Sequence, residues 1–195
     1  MKKLVKPLFG AIALCLSLSL PAQLKIPGSK DFASDMKTVI RDYPHNFSSM
    51  LGSIIQQHEQ HVDYESTLKV QGAESVTISK YNSSSEKEVY SWTAIMLTTE
   101  DFAAARAKYK SIFSRFNNMA VKMDYGVTFY LKGQYVEAIE ERGFTSSLIR
   151  FQQPDRITKK MILEVSMQFE FPEWKVKVLI YEKEREDAED ESDGY

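Results

Sequence analysis

His58-Glu59-Gln60-His61, with Asp63 and Glu65 just beyond, is the densest group of chemically capable side chains in this sequence. Imidazole nitrogens and carboxylate oxygens are the usual ligands of zinc and similar ions. Two histidines three residues apart share one face of a helix, and a nearby carboxylate can serve as third ligand. On that reading His58, His61 and Glu65 form a candidate metal site. The competing reading is a solvated helix end, where histidine is favoured by the helix dipole.

The same text is a shortened form of the zinc-protease motif, which needs histidines four apart with glutamate directly after the first. Here the spacing is three, so nothing of that family is carried over. A second candidate is the aromatic stretch Tyr125, Phe129, Tyr130 and Tyr135, lying around Gly126 and Gly133. Aromatic rings presented at a loop can bind a partner or ligand, although most such runs pack into cores. His45 follows Pro44 and reads as a turn residue, with no nucleophile beside it to activate. Glu137, Glu140 and Glu141 could do acid–base work, but a charged run beside a glycine is ordinarily a solvated face. No phosphate-binding glycine loop and no paired-cysteine motif occurs, so no cofactor is expected.

These groups need a scaffold, and the apolar periodicity supplies one. Phe32, Met36, Val39, Ile40 and Tyr43 keep helical spacing behind a cap at Ser29 or Asp31, and Pro44 ends the run. Phe47, Met50, Leu51, Ile54 and Ile55 predict a second helical segment capped by Asn46, with Gly52 counting against it. The period then shortens to two. Strands are expected at 64–70, 75–81 and 88–97, the last apolar on both faces and therefore central. Phe102, Ala105, Tyr109, Ile112, Phe113 and Phe116 form one stripe of a strong helix, and Thr98 followed three residues later by Asp101 resembles its capping arrangement. Residues 119–131 read as extended, Lys132-Gly133 as a turn, 135–142 as a short helix and 144–151 as a strand. The final hairpin alternates cleanly from Met161 to Phe171 and from Trp174 to Tyr181.

The expected class is α+β, a mostly antiparallel sheet with helices on one face. Trp92, Phe102, Tyr109, Phe113, Phe116, Val165, Met167, Phe169, Val176 and Val178 are the expected core. Asp31-Phe32-Ala33 and Asp101-Phe102-Ala103 each open a helix. Each helical region is followed by similar text, Ser66 to Gln71 and Ser147 to Gln152. That pattern suggests an α-βββ unit used twice, giving about six strands.

Lys2, Lys3 and Lys6, the apolar run from Leu8 to Leu20, and Pro21-Ala22 have the order of a secretory signal peptide. Residues 1–22 are read as that signal, 23–181 as a single α+β domain, and 182–195 as an acidic disordered tail. The tail holds eight acids and two bases, a composition that cannot offset ordering entropy by burial. Cys15, the only cysteine, lies in the signal, so no disulfide is available to the rest. The body has no basic stripe of the kind that marks nucleic-acid binding. The expectation is a secreted or periplasmic protein without a transmembrane segment after the signal. It would bind an unknown protein or small ligand as a non-enzymatic, envelope-associated module. The alternative is a metal-dependent hydrolase centred on His58 and His61.

The small Ala22 after the helix-breaking Pro21 places the cleavage before Gln23. N-terminal sequencing of exported protein should start at Gln23. Retention of Met1, or lipid attached to Cys15, would contradict this reading.

Overall fold

The structure is a computed structural model that describes residues 31–81 and 88–183. The signal reading at 1–22 and most of the acidic segment at 182–195 lie outside the described residues. Within them the chain is a mixed α+β protein, mostly sheet. Helix α1 (Phe32–Asp42) is followed by β1 (Leu51–Gln57), β2 (His61–Ser66), β3 (Ser75–Tyr81) and β4 (Val89–Thr99). Helix α2 (Phe102–Phe116) is followed by β5 (Ala120–Lys122), β6 (Thr128–Gly133), β7 (Phe144–Phe151), β8 (Met161–Glu170) and β9 (Glu173–Glu182). One nine-stranded sheet results, in the order β1-β2-β3-β4-β9-β8-β7-β6-β5, with every neighbouring pair antiparallel. The text pattern suggested about six strands. The extra ones include β1, which falls in a stretch read as helix, and the short β5.

Local chemistry starts both helices. Asp31 accepts a hydrogen bond from the Ser34 N–H at 2.7 Å, and Asp101 accepts from the N–H groups of Ala103 and Ala104. Each satisfies donors that a first helical turn leaves without partners. Helix α2 lies against β4, β8 and β9, and α1 against β5. Their apolar stripes enter one cluster with the sheet: Met36 and Ile40 from α1, Tyr109 and Phe116 from α2, Trp92 from β4 and Val178 from β9. Phe32 and Phe116 meet edge to face at 5.4 Å, which joins the two helices. Buried Asp35 accepts the Gln71 N–H at 2.9 Å, while the Gln71 amide oxygen accepts the Phe32 N–H at 3.2 Å. That exchange ties α1 to the chain leaving β2.

Three expectations are corrected. Residues 47–55 are not a helix: a 3₁₀ turn covers Ser48–Met50, and β1 begins at Leu51. Asn46 and Phe47 both take left-handed backbone angles (φ 56° and 55°), which ends helical propagation, and the Asp42 carboxylate holds Ser49 through its N–H and hydroxyl. Residues 134–139 have no regular secondary structure rather than being helical, with only a 3₁₀ turn at Glu140–Arg142 before Gly143. Gly133 is not a turn residue but the last residue of β6. A β-carbon there would lie 2.6 Å from the Leu148 carbonyl oxygen, so glycine serves a close approach of β6 to β7. Among the expected core residues Phe169 is also misplaced, being 41% exposed, and Phe102 is only partly buried. Among the described residues no helix is long and apolar enough to cross a membrane.

Gly52 marks a second close approach. A β-carbon on it would sit 2.6 Å from the Glu65 carbonyl oxygen of β2. Because that neighbour is backbone, relief requires β1 to shift. Gly52→Ala should therefore lower stability by about 1–3 kcal/mol, measured by urea unfolding. A loss below about 0.5 kcal/mol, the range of ordinary surface changes, would show that β1 does not approach β2 so closely.

Candidate functional site

His58 and His61 are not on a helix. They are the two ends of the turn joining β1 to β2, closed by a 2.9 Å hydrogen bond from the His58 N–H to the His61 carbonyl. Gln57 pairs with Val62, so His58 stands opposite His61, and side chains opposite each other on one hairpin face are near neighbours. The rings stack with centroids 4.2 Å apart. Asp63 lies two residues along β2 from His61, on the same face by strand alternation. Its Oδ2 is 3.7 Å from Nε2 of His58 and 3.6 Å from Nε2 of His61. The other oxygen, Oδ1, accepts a 2.6 Å hydrogen bond from the Ser79 hydroxyl, and Ser79 is the residue paired with Asp63 on β3. Tyr81, paired with His61, packs its ring at 5.5 Å from the imidazole. Ligand atoms of His58, His61 and Asp63 all lie within 4.8 Å of one another.

Glu65 is not part of this group. It sits four residues beyond His61, which on an extended strand is roughly 13 Å away. Sequence reasoning found both histidines but took the wrong carboxylate, because helical spacing was assumed. On a strand the i, i+2 rule selects Asp63 at once. The group lies on the face of β2 and β3 opposite the one bearing Ile78, which is fully buried. A hollow of about 510 Å³ opens nearby, lined by Glu65, Ser66, Lys69, Val70 and Thr77 among others, but neither histidine lines it.

Of the four aromatic candidates Tyr125 and Phe129 meet edge to face at 6.5 Å, but the four do not form one surface. Phe129 is buried against Phe151, whereas Tyr130, the next residue of β6, points the other way and is exposed. Tyr125 is exposed and donates to Asp155 at 2.6 Å; burial and that bond push its hydroxyl up to about 12. Tyr135 packs beside Tyr109 and Phe113. Tyr109 itself is buried, bonded to Val136 and Ser147, and burial raises its pKa to about 12. That cluster fastens α2 to β7 and to the irregular 134–139 segment.

A different aromatic group was missed. Phe102 of α2 meets Trp174 of β9 at 5.2 Å, Trp174 meets Phe169 of β8 at 5.1 Å, and Phe169 meets Phe171 at 6.3 Å. The arc starts in the core and ends in water, for Trp174 is buried and Phe171 is 89% exposed. On the opposite face of the same hairpin Glu170 accepts from Lys175 at 2.6 Å and Lys177 at 2.5 Å, and these two bonds hold its carboxyl below the ordinary range. The available signal was the Phe171-Pro172-Glu173 turn: an aromatic at a hairpin tip has nothing above it to bury against.

No family model, no curated protein and no solved structure matches the chain.

The arc separates a structural ring from an exposed one. Trp174→Ala should lower stability by about 3–5 kcal/mol, while Phe171→Ala should change it by less than about 0.5 kcal/mol. Denaturant unfolding of both variants checks this. A large loss from Phe171→Ala would mean that the ring is buried in the protein as it exists in solution.

Proposed function

We propose that this protein is an exported, non-enzymatic binding module of the cell envelope or extracellular space, and that it engages a protein partner through the aromatic arc ending at Phe171. The observation carrying this reading is the exposure of Phe171 and Phe169 at one hairpin tip, backed by buried Trp174. Covering a large apolar ring that is held out in water lowers the free energy. Aromatic anchors supported by packed neighbours are the residues that dominate protein interfaces. Export is supported by the basic, apolar and small-residue order of the first 22 residues.

A hydrolase centred on His58 and His61 has less support. Catalytic groups usually work in a concave, water-excluding pocket, whereas these imidazoles are partly exposed on an open sheet face.

The same reading takes the architecture as an α-βββ unit used twice, with both helices on one face of the sheet. In its favour, each half begins with an aspartate-capped helix and closes with three consecutive antiparallel strands, β2-β3-β4 and β7-β8-β9. The last strands of the halves, β4 and β9, pair antiparallel with each other, which a two-fold relation between the halves allows.

A photo-crosslinking side chain placed at Phe171 in the exporting cell tests the binding reading. It should give one discrete adduct that is lost with Phe169→Ala and absent when the crosslinker is placed at exposed Lys132. The same adducts from both positions, or none from 171, would overturn it.

A further inference from the structure

We infer that His58, His61 and Asp63 form a binding site for one borderline divalent transition-metal ion such as Zn²⁺, with the Ser79 hydroxyl holding the Asp63 carboxylate in place through its other oxygen. The hairpin turn presents the two imidazoles across from each other, and Asp63 Oδ2 already lies 3.7 and 3.6 Å from their Nε2 atoms. Around zinc, ligands at about 2.0–2.2 Å in tetrahedral array stand roughly 3.3–3.5 Å apart. An ion would thus draw Oδ2 toward each nitrogen by only a few tenths of an ångström, while the two imidazole ligand atoms, which lie within 4.8 Å of each other, would close the remaining distance by tilting of the rings. The side chains are 37, 30 and 21% exposed, so the imidazoles can tilt from their stacked arrangement toward a shared ion without disturbing the core.

The donor set selects the class of ion. Two imidazoles and one carboxylate suit Zn²⁺, Ni²⁺ or Cu²⁺, whereas Mg²⁺ and Ca²⁺ require mainly oxygen ligands. Ser79 donates to Oδ1 and leaves Oδ2 directed at the histidines, which is how an outer-shell partner orients a ligating carboxylate. Three protein ligands leave a coordination position for water or for a group from a bound partner. The site is independent of the aromatic arc and stands whether or not that arc binds a partner.

The test is calorimetric titration of the untagged full chain, carrying Cys15→Ser so that no thiol competes, with Zn²⁺ and with Ni²⁺. One ion per chain should bind, and excess Mg²⁺ should not displace it. His58→Ala, His61→Ala and Asp63→Asn should each abolish binding at the same concentrations. Ser79→Ala should weaken it about 10-fold, the lower end of outer-shell effects. Glu65→Gln and His45→Ala should leave it unchanged. Circular dichroism of each variant separates loss of a ligand from loss of fold. As a check free of substitutions, Ni²⁺ added to the same protein should broaden the imidazole proton signals of His58 and His61 but spare those of His45. No binding at a hundredfold excess of metal over protein would overturn the inference. So would retained binding in a His58→Ala/His61→Ala double variant, or broadening centred on His45.

Discussion

The ladder between β4 and β9 is the interaction on which the rest of the structure depends. It joins Ser91–Thr99 to Trp174–Tyr181, strands separated by most of the second half of the sequence. On one side lies the meander β1 to β4, and on the other the run from β8 out to β5. Remove this ladder and neither set has a closed core, because Trp92 and Ala94 face the same helical cover as Val178 and Ile180. Closing so distant a pair is entropically unfavourable. It holds because both strands bring nearly continuous apolar rows to one face, and α2 covers them together. A register shift between Ile95 and Leu97 shows where the ladder bends, just before the chain leaves β4 for α2.

Legibility followed burial. Among the elements read most accurately, α2, β7 and the β8–β9 hairpin have side chains that face the core over several turns or pleats, so their period is imposed by packing. The misread stretch at 47–55 shows the opposite case. Met50, Leu51, Ile54 and Ile55 have helical spacing, yet Ile54 and Ile55 are more than half exposed on an edge strand, and their spacing records no buried face. Tertiary contacts decided it instead: the left-handed pair Asn46-Phe47, the Asp42 clasp on Ser49, and a glycine that lets β1 lie close on β2. Gly52 was the one readable warning, since isolated glycines in strands mark close backbone approaches.

The histidines were visible as a cluster, but the chemistry they can do depends on a secondary structure that the sequence misassigned. Aromatics were misjudged for a related reason. Tyr125, Phe129, Tyr130 and Tyr135 are dense in sequence, but alternation along β6 sends neighbours to opposite faces. Three rings of the arc, Phe169, Phe171 and Trp174, sit together at the last hairpin, but the fourth, Phe102, comes from α2, so no local window contains the whole arc.

The edge position of β1 and the placement of His58 share one cause. An exposed edge with two large aliphatic residues invites pairing with another chain, and bulges are a common way to blunt it. Strand β1 is irregular twice, between Leu51 and Ile54 and between Ile54 and Gln56. The second irregularity also sets the register of the turn. Ile54 pairs with Tyr64, so an unbroken ladder would carry Gln56 opposite Val62 and leave His58 on the face away from Asp63. Observed pairing instead puts Gln56 opposite Asp63 and Gln57 opposite Val62. One added residue reverses the faces of everything after it, and His58 is thereby turned onto the side shared by His61, Asp63 and Ser79. The device that protects the sheet edge is therefore also the one that brings the second imidazole to the carboxylate.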